Sequence, residues 1–388
     1  MLRSRRVRAL VAAAAAAAGA AASVAGVAPA VKAAGPTSSP PAWERWIHLP
    51  GVFDVAGPRG DGRLVAAVHG KLVLIAPSGA TSDFASGYSA PDGSESYIAV
   101  SPGLAVDGAG CRFAKDEILA LDLRGAPPGV ARIAPGGAVT RLADVPGPST
   151  LTGIALDTVG SFGHRLLVVG PTQPGRTQVS AVDCRGAVRP VAVVDAPLEG
   201  GVAVAPPTFG PYGGHLVAPD ELDGTIYAVS PGGQLSLVAA SGVAAGADIG
   251  VESAGFVPGS GTRVAYMADR GTPGNPHPGT DSVLRLTGSA LAGSARPGDL
   301  LVGTEGAATV VRVRCAPTCE AGVAATGPAT AHGEGRLLVI ASASGGGSPG
   351  PGAIAGGVAA VVVATGLGLA ALRRVRRRPS RAGPRLQA

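Results

Sequence analysis

Few residues of this sequence stand in a pattern that by itself specifies catalysis. The histidines, at positions 48, 69, 164, 215, 277 and 332, lack the spacing of a metal site. Gly346-x-Ser348-x-Gly350 has the spacing of a nucleophile elbow, but its surroundings are Gly/Pro-rich instead of strand, turn and helix, which excludes that role. The sequence contains no phosphate-binding loop and no dinucleotide fingerprint. The remaining candidates are acidic side chains that could hold a cation and one long loop.

The most acidic turn is Asp220-Glu221-Leu222-Asp223-Gly224, which follows an apolar run. Its carboxylates could take a cation, although an exposed acidic hairpin is the commoner use of such a turn. Asp269 ends a similar run 49 residues later. Residues 270–281 form a Pro/Gly-rich loop that carries His277 and Asp281. Long loops often form binding surfaces, so this loop is a candidate binding face, with a plain insertion as the alternative.

The elements that must position these residues are short strands in a repeat of about 50 residues. Glycines of tight turns at positions 79, 137, 186 and 233 are 58, 49 and 47 residues apart, and a weaker fifth copy ends at Gly288. Glycines at 153, 201 and 250 each open a similar apolar segment and are spaced by 48 and 49 residues. Several short strands per unit of this length are typical of a β-propeller, in which stacked blades bury each other's apolar faces.

The sequence therefore predicts an all-β, six-bladed β-propeller over residues 42–342, with a sandwich of unrelated hairpins as the alternative. The last apolar strand, residues 336–341, is expected to share a blade with a strand near residues 51–55, because such a clasp removes a free sheet edge. The only two tryptophans, Trp43 and Trp46, are expected to fill the core where the ring closes.

The two ends of the chain predict how it is placed at a membrane. Residues 1–34 have a basic start, an apolar Ala/Val-rich stretch and small residues near 30–34, as a cleaved signal peptide has; an uncleaved signal anchor is the alternative. Residues 35–41 and 343–352 are linkers, the second rich in Gly, Ser and Pro. Residues 353–372 carry no charge and match one transmembrane helix. The basic tail, residues 373–388, is expected in the cytoplasm.

The prediction is thus a single-pass protein of the cell membrane with the propeller outside. A sortase signal is the nearest rival, but no LPxTG-like pentapeptide precedes the apolar segment. In an exported chain, four cysteines favour two disulfides. The favoured pairs are Cys315–Cys319, across a small turn, and Cys111–Cys184, across neighbouring blades; a zinc site that uses Cys315 and Cys319 is the alternative.

The formal net charge of +6 does not indicate a nucleic-acid partner. Twelve of the 32 basic residues lie in the two terminal segments, whereas all 26 acidic residues lie between Glu44 and Glu334. The middle of the chain therefore carries 20 basic against 26 acidic residues, about −6. Nucleic-acid binding is excluded on this ground. The expected partners are the membrane, through the C-terminal helix, and an extracytoplasmic protein or small molecule that the sequence does not identify.

The sequence resembles six-bladed propellers of the NHL, SMP-30/gluconolactonase-like and TolB-like group. The resemblance is carried by the glycine-opened segments, by the strands that end in Asp220 and Asp269, and by the turn Ser230-Pro231-Gly232-Gly233. It covers about 300 residues and implies the fold more strongly than any activity. The lactonase members imply a divalent cation, Ca²⁺ or Mg²⁺, held in the central channel by Glu, Asp and Asn side chains.

Carried over to this sequence, the resemblance selects Glu252, Asp220 and Asp269 as candidate metal ligands. Glu252 stands where the two preceding units have Ala155 and Ala203, at the start of a strand expected to line the channel. A solvated or hydrogen-bonded glutamate at the channel mouth is the alternative. The chain has a single asparagine, at position 275, so the usual lactonase ligand set is incomplete.

The first prediction for function is a binding or scaffolding module at the cell envelope. The alternative is a metal-dependent lactonase or ester hydrolase, and a third possibility is a sensor or transporter accessory. A binding module predicts no converging acidic cluster in the channel. An enzyme predicts Glu252 with two further oxygen ligands within coordination distance. The sequence identifies no catalytic residue.

Overall fold

The computed structural model describes residues 39–91, 93–259 and 261–342, and arranges them as six four-stranded antiparallel sheets around a central channel. Each innermost strand lies beside the innermost strand of the next sheet until the ring closes. The predicted six-bladed β-propeller is confirmed.

The first four blades follow one another along the chain, after an initial strand β1 (Glu44–His48). Blade 1 contains β2 (Val52–Ala56), β3 (Leu64–Val68), β4 (Lys71–Ile75) and β5 (Thr81–Phe84). Blade 2 contains β6 (Ile98–Pro102), then a side hairpin of β7 (Ala105–Val106) and β8 (Cys111–Arg112), then β9 (Lys115–Asp122), β10 (Gly129–Ile133) and β11 (Val139–Asp144). Blade 3 contains β12 (Gly153–Leu156), β13 (Leu166–Gln173), β14 (Arg176–Val182) and β15 (Val188–Val194). Blade 4 contains β16 (Ala203–Val204), a 3₁₀ turn (Gly210–Tyr212), β17 (Leu216–Asp220), β18 (Thr225–Val229) and β19 (Leu235–Ala240).

The last two blades share the elements β20 (Val251–Phe256), β21 (Thr262–Asp269), β22 (Ser282–Leu286), helix α1 (Gly288–Ala292), β23 (Leu300–Thr304), β24 (Val310–Cys315), β25 (Cys319–Ala325) and β26 (Gly333–Ser342).

The turn glycines predicted from the repeat join the third and fourth strands of blades 1 to 4. Gly79, Gly137, Gly186 and Gly233 have φ angles of +90°, +93°, +87° and +85°. A side chain is strained in this left-handed region, so glycine recurs at the same place in each blade. The second marker is also confirmed, because the segments opened by glycines 153, 201 and 250 become the innermost strands β12, β16 and β20.

Blades 5 and 6 exchange strands along the chain. Blade 5 has the order β20-β23-β24-β25, and blade 6 has the order β26-β21-β22-β1. The chain leaves blade 5 after its innermost strand, forms the two middle strands of blade 6, and returns through α1. The expectation of a fifth repeat ending at Gly288 is therefore wrong, because Gly288 begins α1 and the hairpin before it belongs to blade 6. A local repeat cannot reveal which distant strands a hairpin will pair with.

Both ends of the folded region close blade 6. Strand β1 pairs with β22, and β26 pairs with β21. The predicted clasp therefore exists, but its N-terminal partner is Glu44–His48 and not the strand near residues 51–55, because β2 pairs with β3 in blade 1. Trp43 is buried beside this closure and its Nε1 donates to the carbonyl of Ala308 at 2.9 Å, as expected of a core residue at the ring closure.

The core is divided among the six interfaces between neighbouring blades, with one cluster of buried apolar side chains at each. Stacking around the ring thus buries the face that each blade would expose alone. Both predicted disulfides are present: Cys111–Cys184 joins blades 2 and 3, and Cys315–Cys319 closes the β24–β25 hairpin.

The predicted signal peptide (1–34), most of the first linker (35–41), the second linker (343–352), the transmembrane segment (353–372) and the basic tail (373–388) lie outside the described residues and stay predictions. Within the described residues, no helix has the length and apolar character needed to cross a membrane.

Candidate metal centre

Side chains from several blades converge at one end of the channel, here called the channel mouth. The starts of the innermost strands and the ends of the second strands meet there, because Val251 pairs with Thr304 in blade 5 and Gly333 pairs with Asp269 in blade 6. The ionisable residues of the channel mouth are Glu95, Tyr97, Glu199, Glu221, Asp248, Glu252, Arg270, Glu305, His332 and Glu334. Six of these ten are glutamates.

Below the mouth, a cavity of about 220 Å³ is lined by residues in or next to the innermost strands of all six blades. Arg336, from β26 in blade 6, reaches across to β12 in blade 3, where its Nη2 donates to the carbonyl of Ile154 at 2.7 Å. A ligand of the mouth therefore approaches from the side of the glutamates.

Three of the glutamates form the centre of the mouth. One carboxylate oxygen of each of Glu252, Glu305 and Glu334 lies within 4.8 Å of the other two. These residues are 5%, 7% and 2% exposed. Within the described part of the chain, the Oε2 atom of each is buried without a hydrogen-bond partner. An unpartnered buried carboxylate oxygen is costly, so three of them in neighbouring side chains form an unusual arrangement.

The other oxygens of this triad are held by neighbouring side chains. The Tyr97 hydroxyl, from the segment before β6, donates to Glu252 Oε1. Arg270 Nη1 donates to Glu334 Oε1 at 2.8 Å. His332 Nε2 lies 3.0 Å from Glu305 Oε1 and 3.5 Å from Glu334 Oε1. Each carboxylate is thus oriented through Oε1 while Oε2 stays free.

The backbone fixes the three carboxylates relative to one another. Glu305 N–H donates to the carbonyl of Gly250 at 2.8 Å, and Gly333 N–H donates to the carbonyl of Glu305 at 2.7 Å. Glu305, which follows the second strand of blade 5, is thereby hydrogen-bonded to the starts of the innermost strands of blades 5 and 6. Glu252 and Glu334 lie in strands and Glu305 directly follows one, and these backbone hydrogen bonds favour a preorganised site.

Burial and mutual repulsion raise the pKa values of the carboxyl groups at the mouth. Burial raises the pKa of Glu252, and the charges of Glu334 and Glu305 raise it further. Burial and the charge of Glu334 raise the pKa of Glu95 to about 7. Burial and the charge of Asp220 raise the pKa of Glu199 to about 7. The mouth therefore has more carboxylates than its surroundings can keep ionised.

The neighbouring carboxylates raise the pKa values of the two cationic groups of the mouth and so favour their charged forms. Burial alone would lower the pKa of His332, but hydrogen bonds to Glu305 and Glu334 raise it to about 9. Burial also opposes the charge of Arg270, and the neighbouring Glu334 raises the pKa of this guanidinium above its usual value. Both groups pair with carboxylates that belong to the triad.

Of the three ligands predicted from the sequence, the structure brings only Glu252 into the triad. Asp220 lies at the end of β17, where its Oδ1 accepts from the backbone N–H groups of Leu222 and Asp223 at 3.1 and 3.3 Å. Asp269 lies at the end of β21 and accepts from His332 N–H at 2.8 Å and from the Thr280 hydroxyl. These two aspartates hold the loops that follow their strands.

The predicted binding-face loop connects β21 to β22. Its Asp281 accepts from the N–H groups of Gly51 and Gly271, both at 2.9 Å, which pins the loop to the start of blade 1. His277 is half-buried, and its Nδ1 lies 2.8 Å from the carbonyl of Ala329. Asn275 accepts from the backbone N–H of His277, so the single asparagine is engaged in this loop and is not part of the triad.

Sequence reasoning missed Glu305 and Glu334, and the strand exchange explains the first omission. The repeat spacing assigned β21 to the blade that Glu252 opens, so it selected Asp269 at the end of that strand. The strand that pairs with β20 is β23, which ends at Thr304, directly before Glu305. Glu334 had a usable signal, because like Glu252 it lies at the start of an apolar strand.

No family model matches the sequence, and no curated protein matches it. Similar solved structures include a streptogramin B lyase, with 12% identity over 72% of this chain and 72% of that chain, at a TM-score of 0.39. A putative TolB from Agrobacterium tumefaciens has 13% identity over 73% and 83%, at a TM-score of 0.39. A gluconolactonase from Xanthomonas campestris has 16% identity over 59% and 69%, at a TM-score of 0.36. At this level of similarity, no activity, ligand or residue role passes from those proteins to this chain.

Proposed function

We propose that the propeller binds a divalent cation at the channel mouth through Glu252, Glu305 and Glu334, and that it hydrolyses a lactone or ester at that cation. One observation carries the proposal: three buried carboxylates lie within 4.8 Å of one another, each with a free Oε2. This cluster favours an enzyme over a simple binding module, because Glu305 and Glu334 would give a cation at Glu252 two further oxygen ligands.

The balance of charge supports a missing cation. Among the described residues, the mouth has six glutamates and Asp248, with Arg270 and His332 as their positive partners. With all of these groups ionised, five negative charges remain uncompensated, and carboxylates this close cannot all ionise without a counterion. A divalent cation would bind the free Oε2 atoms and lower the pKa values that burial and repulsion now raise.

The ligand types suit a hard cation. Carboxylate oxygens favour Ca²⁺, which accepts six to eight oxygen ligands, or Mg²⁺, which keeps several water molecules. The triad supplies three carboxylates and no amide, so it departs from the Glu, Asp and Asn set that the sequence resemblance implied. The vacant coordination positions would be left for water and substrate.

A bound divalent cation would polarise a carbonyl group and lower the pKa of a coordinated water molecule. The chain's own residues would position these groups. Tyr97, Arg270 and His332 contact the Oε1 atoms, which would leave the Oε2 atoms available to a cation. Glu95 and Glu199, each with a pKa raised by burial to about 7, can accept or donate a proton near neutral pH.

A binding or scaffolding module at the cell envelope is the second candidate, and a different surface supports it. The outermost strands of three successive blades each expose one large apolar side chain: Val193 at 45%, Leu237 at 55% and Val323 at 48%. Apolar side chains that recur around the outer wall are suited to contact a protein partner. The proposed location, outside the membrane and anchored by residues 353–372, rests on the sequence and on the two disulfides, which form in oxidising compartments.

Metal analysis of the purified full chain, followed by thermal melting with and without EDTA, tests the proposal. We expect bound Ca²⁺ or Mg²⁺, a lower melting temperature in EDTA, and loss of the ion in Glu252→Gln. Glu320→Gln is the matched control, because Glu320 is exposed on the outer strand of the same blade. A screen of lactones and esters would follow. A metal-free chain whose melting ignores both EDTA and added Ca²⁺ or Mg²⁺ would contradict the proposal.

A further inference from the structure

A second group of possible ligands adjoins the triad and shares one member with it. One ligand atom of each of Asp248, Glu305 and His332 lies within 4.8 Å of the other two. Asp248 belongs to the segment before β20 and is exposed, whereas Glu305 and His332 are buried. Glu305 is thus the residue common to both groups, with Oε1 beside His332 and Oε2 unpartnered among the described residues.

Unpartnered polar atoms of Glu305 and His332 give independent support for a ligand at this second group. Glu305 uses Oε1 toward His332, and its Oε2 is buried without a partner in the described part of the chain. His332 is 1% exposed and presents Nε2 to the carboxylates, while its Nδ1 is also buried and unpartnered there. In the metal-free protein His332 is protonated, so on binding an ion it would release a proton and offer the nitrogen lone pair of the neutral imidazole. Unsatisfied polar atoms of two buried residues therefore remain in this group.

We propose that Asp248, Glu305 and His332 form a second divalent-cation site, and that the Glu305 carboxylate bridges it to the first. This inference rests on the proposed function. The imidazole nitrogen makes the second site suited to a transition ion such as Mn²⁺ or Zn²⁺, whereas the all-carboxylate site is suited to Ca²⁺ or Mg²⁺. Because Asp248 is exposed, the second site opens toward solvent and leaves coordination positions for water or substrate.

A bridged pair has a chemical consequence for hydrolysis. Two cations a few ångströms apart could stabilise both the attacking and the leaving oxygen of a displacement. In that arrangement Glu305 would bind both ions, while Glu252 and Asp248 would each belong to one ion only. This separation allows the two sites to be removed independently.

The test is the number of Mn²⁺ ions bound by the full chain after removal of endogenous metal, measured by equilibrium dialysis and by electron paramagnetic resonance. We expect two ions per wild-type chain with a spin-coupled signal. Asp248→Asn should bind one ion with an uncoupled signal. Asparagine tolerates the left-handed backbone of this position, where φ is +63°, so the variant is expected to fold. Glu252→Gln should also retain one uncoupled ion, at the second site.

The outcomes separate the inference from the function on which it rests. One ion in the wild type, unchanged in Asp248→Asn and lost in Glu252→Gln, would overturn the second site and leave the proposed function standing. No bound ion in the wild type would overturn both, and would leave His332 as an ion-pair partner of Glu305 and Glu334. Two ions in Asp248→Asn would also overturn the assignment, because the second ion would then bind elsewhere.

Discussion

Two sets of buried acidic residues lie within a few residues of one another in this propeller, and they differ in how their oxygens are used. The buried aspartates Asp54, Asp157, Asp220 and Asp269 accept hydrogen bonds from backbone N–H groups. The triad glutamates each keep one buried oxygen without a partner within the described residues. Burial and charge are common to both sets, so only the hydrogen bonds distinguish a residue that holds a loop from one available to a ligand.

Asp157 is the clearest example of a buried carboxylate that holds a loop. It is fully buried, and its two oxygens accept from the N–H groups of Val159, Gly160, Phe162 and His164 at 2.7 to 3.1 Å. The loop between β12 and β13 is built around this one carboxylate. Nothing is left over for a cation.

Asp157→Ala should lower the free energy of unfolding by about 3–5 kcal/mol, because it removes the acceptor of four backbone N–H groups, some of which cannot reach water. Chemical denaturation measures the change. Asp223→Ala, at an exposed carboxylate, should change the free energy by less than about 0.5 kcal/mol. Equal effects of the two substitutions would remove the distinction for the aspartates.

Glu252→Gln should weaken cation binding without lowering the stability of the metal-free protein. Cation affinity should fall on the order of 100-fold, since one of three charged ligands is lost. The melting temperature in EDTA should stay the same or rise, because the repulsion by Glu305 and Glu334 is relieved. Calorimetric titration and melting curves give both values. A clear loss of stability in EDTA, with affinity unchanged, would place Glu252 with the structural aspartates.

The stability of the metal-free protein should depend on pH through Glu95 and Glu199. Burial raises the pKa of each from 4.5 to about 7, so the folded state binds these protons more tightly than the unfolded state does. The stability they contribute is fully present below about pH 4.5 and is lost as the pH rises through about 7. In EDTA, the melting temperature should fall by roughly 2–5 °C between pH 5 and pH 8.

A variant and a calcium-saturated sample are the controls for this pH dependence. Glu199→Gln should show a smaller fall, since the glutamine does not titrate. Saturating Ca²⁺ should also reduce the fall, because the cation favours the ionised carboxylates around it. A melting temperature in EDTA that rises over this range would contradict the assigned direction of the pKa shifts.

Among the substitutions of buried carboxylates, Asp220→Asn should have the smallest effect. The amide oxygen of asparagine can accept the same bonds from the N–H groups of Leu222 and Asp223, so stability should change by less than about 1 kcal/mol. Cation affinity should be unchanged. A large loss of affinity would restore Asp220 as a ligand, as the sequence resemblance implied.

Much of the fold could be predicted from the sequence because its signals are local. Turn glycines such as Gly137 and Gly233 recur at nearly constant spacing, since each blade needs a left-handed residue at the same turn. The two disulfides followed from cysteine spacing and the predicted blade order. Glu252 could be placed at the channel because a glutamate stood where the equivalent strand starts have alanine.

The strand exchange and the free carboxylate oxygens could not be predicted, because they depend on contacts between distant parts of the chain. The exchange of β21 and β22 into blade 6 is decided by pairing with β1 and β26, which lie at opposite ends of the propeller. Without that exchange, Glu305 is not seen beside Glu252. The free Oε2 atoms likewise have no sequence signature, because whether a buried oxygen has a partner depends on residues from other blades, such as Tyr97 from blade 2.

The most direct test of the central claim is a crystal of the protein soaked in Mn²⁺ and measured for anomalous scattering. We predict an anomalous peak at the channel mouth, about 2–2.5 Å from the carboxylate oxygens of Glu252, Glu305 and Glu334. A map that shows no peak there at saturating Mn²⁺, with the three carboxylates held only by Tyr97, Arg270 and His332, would contradict the claim.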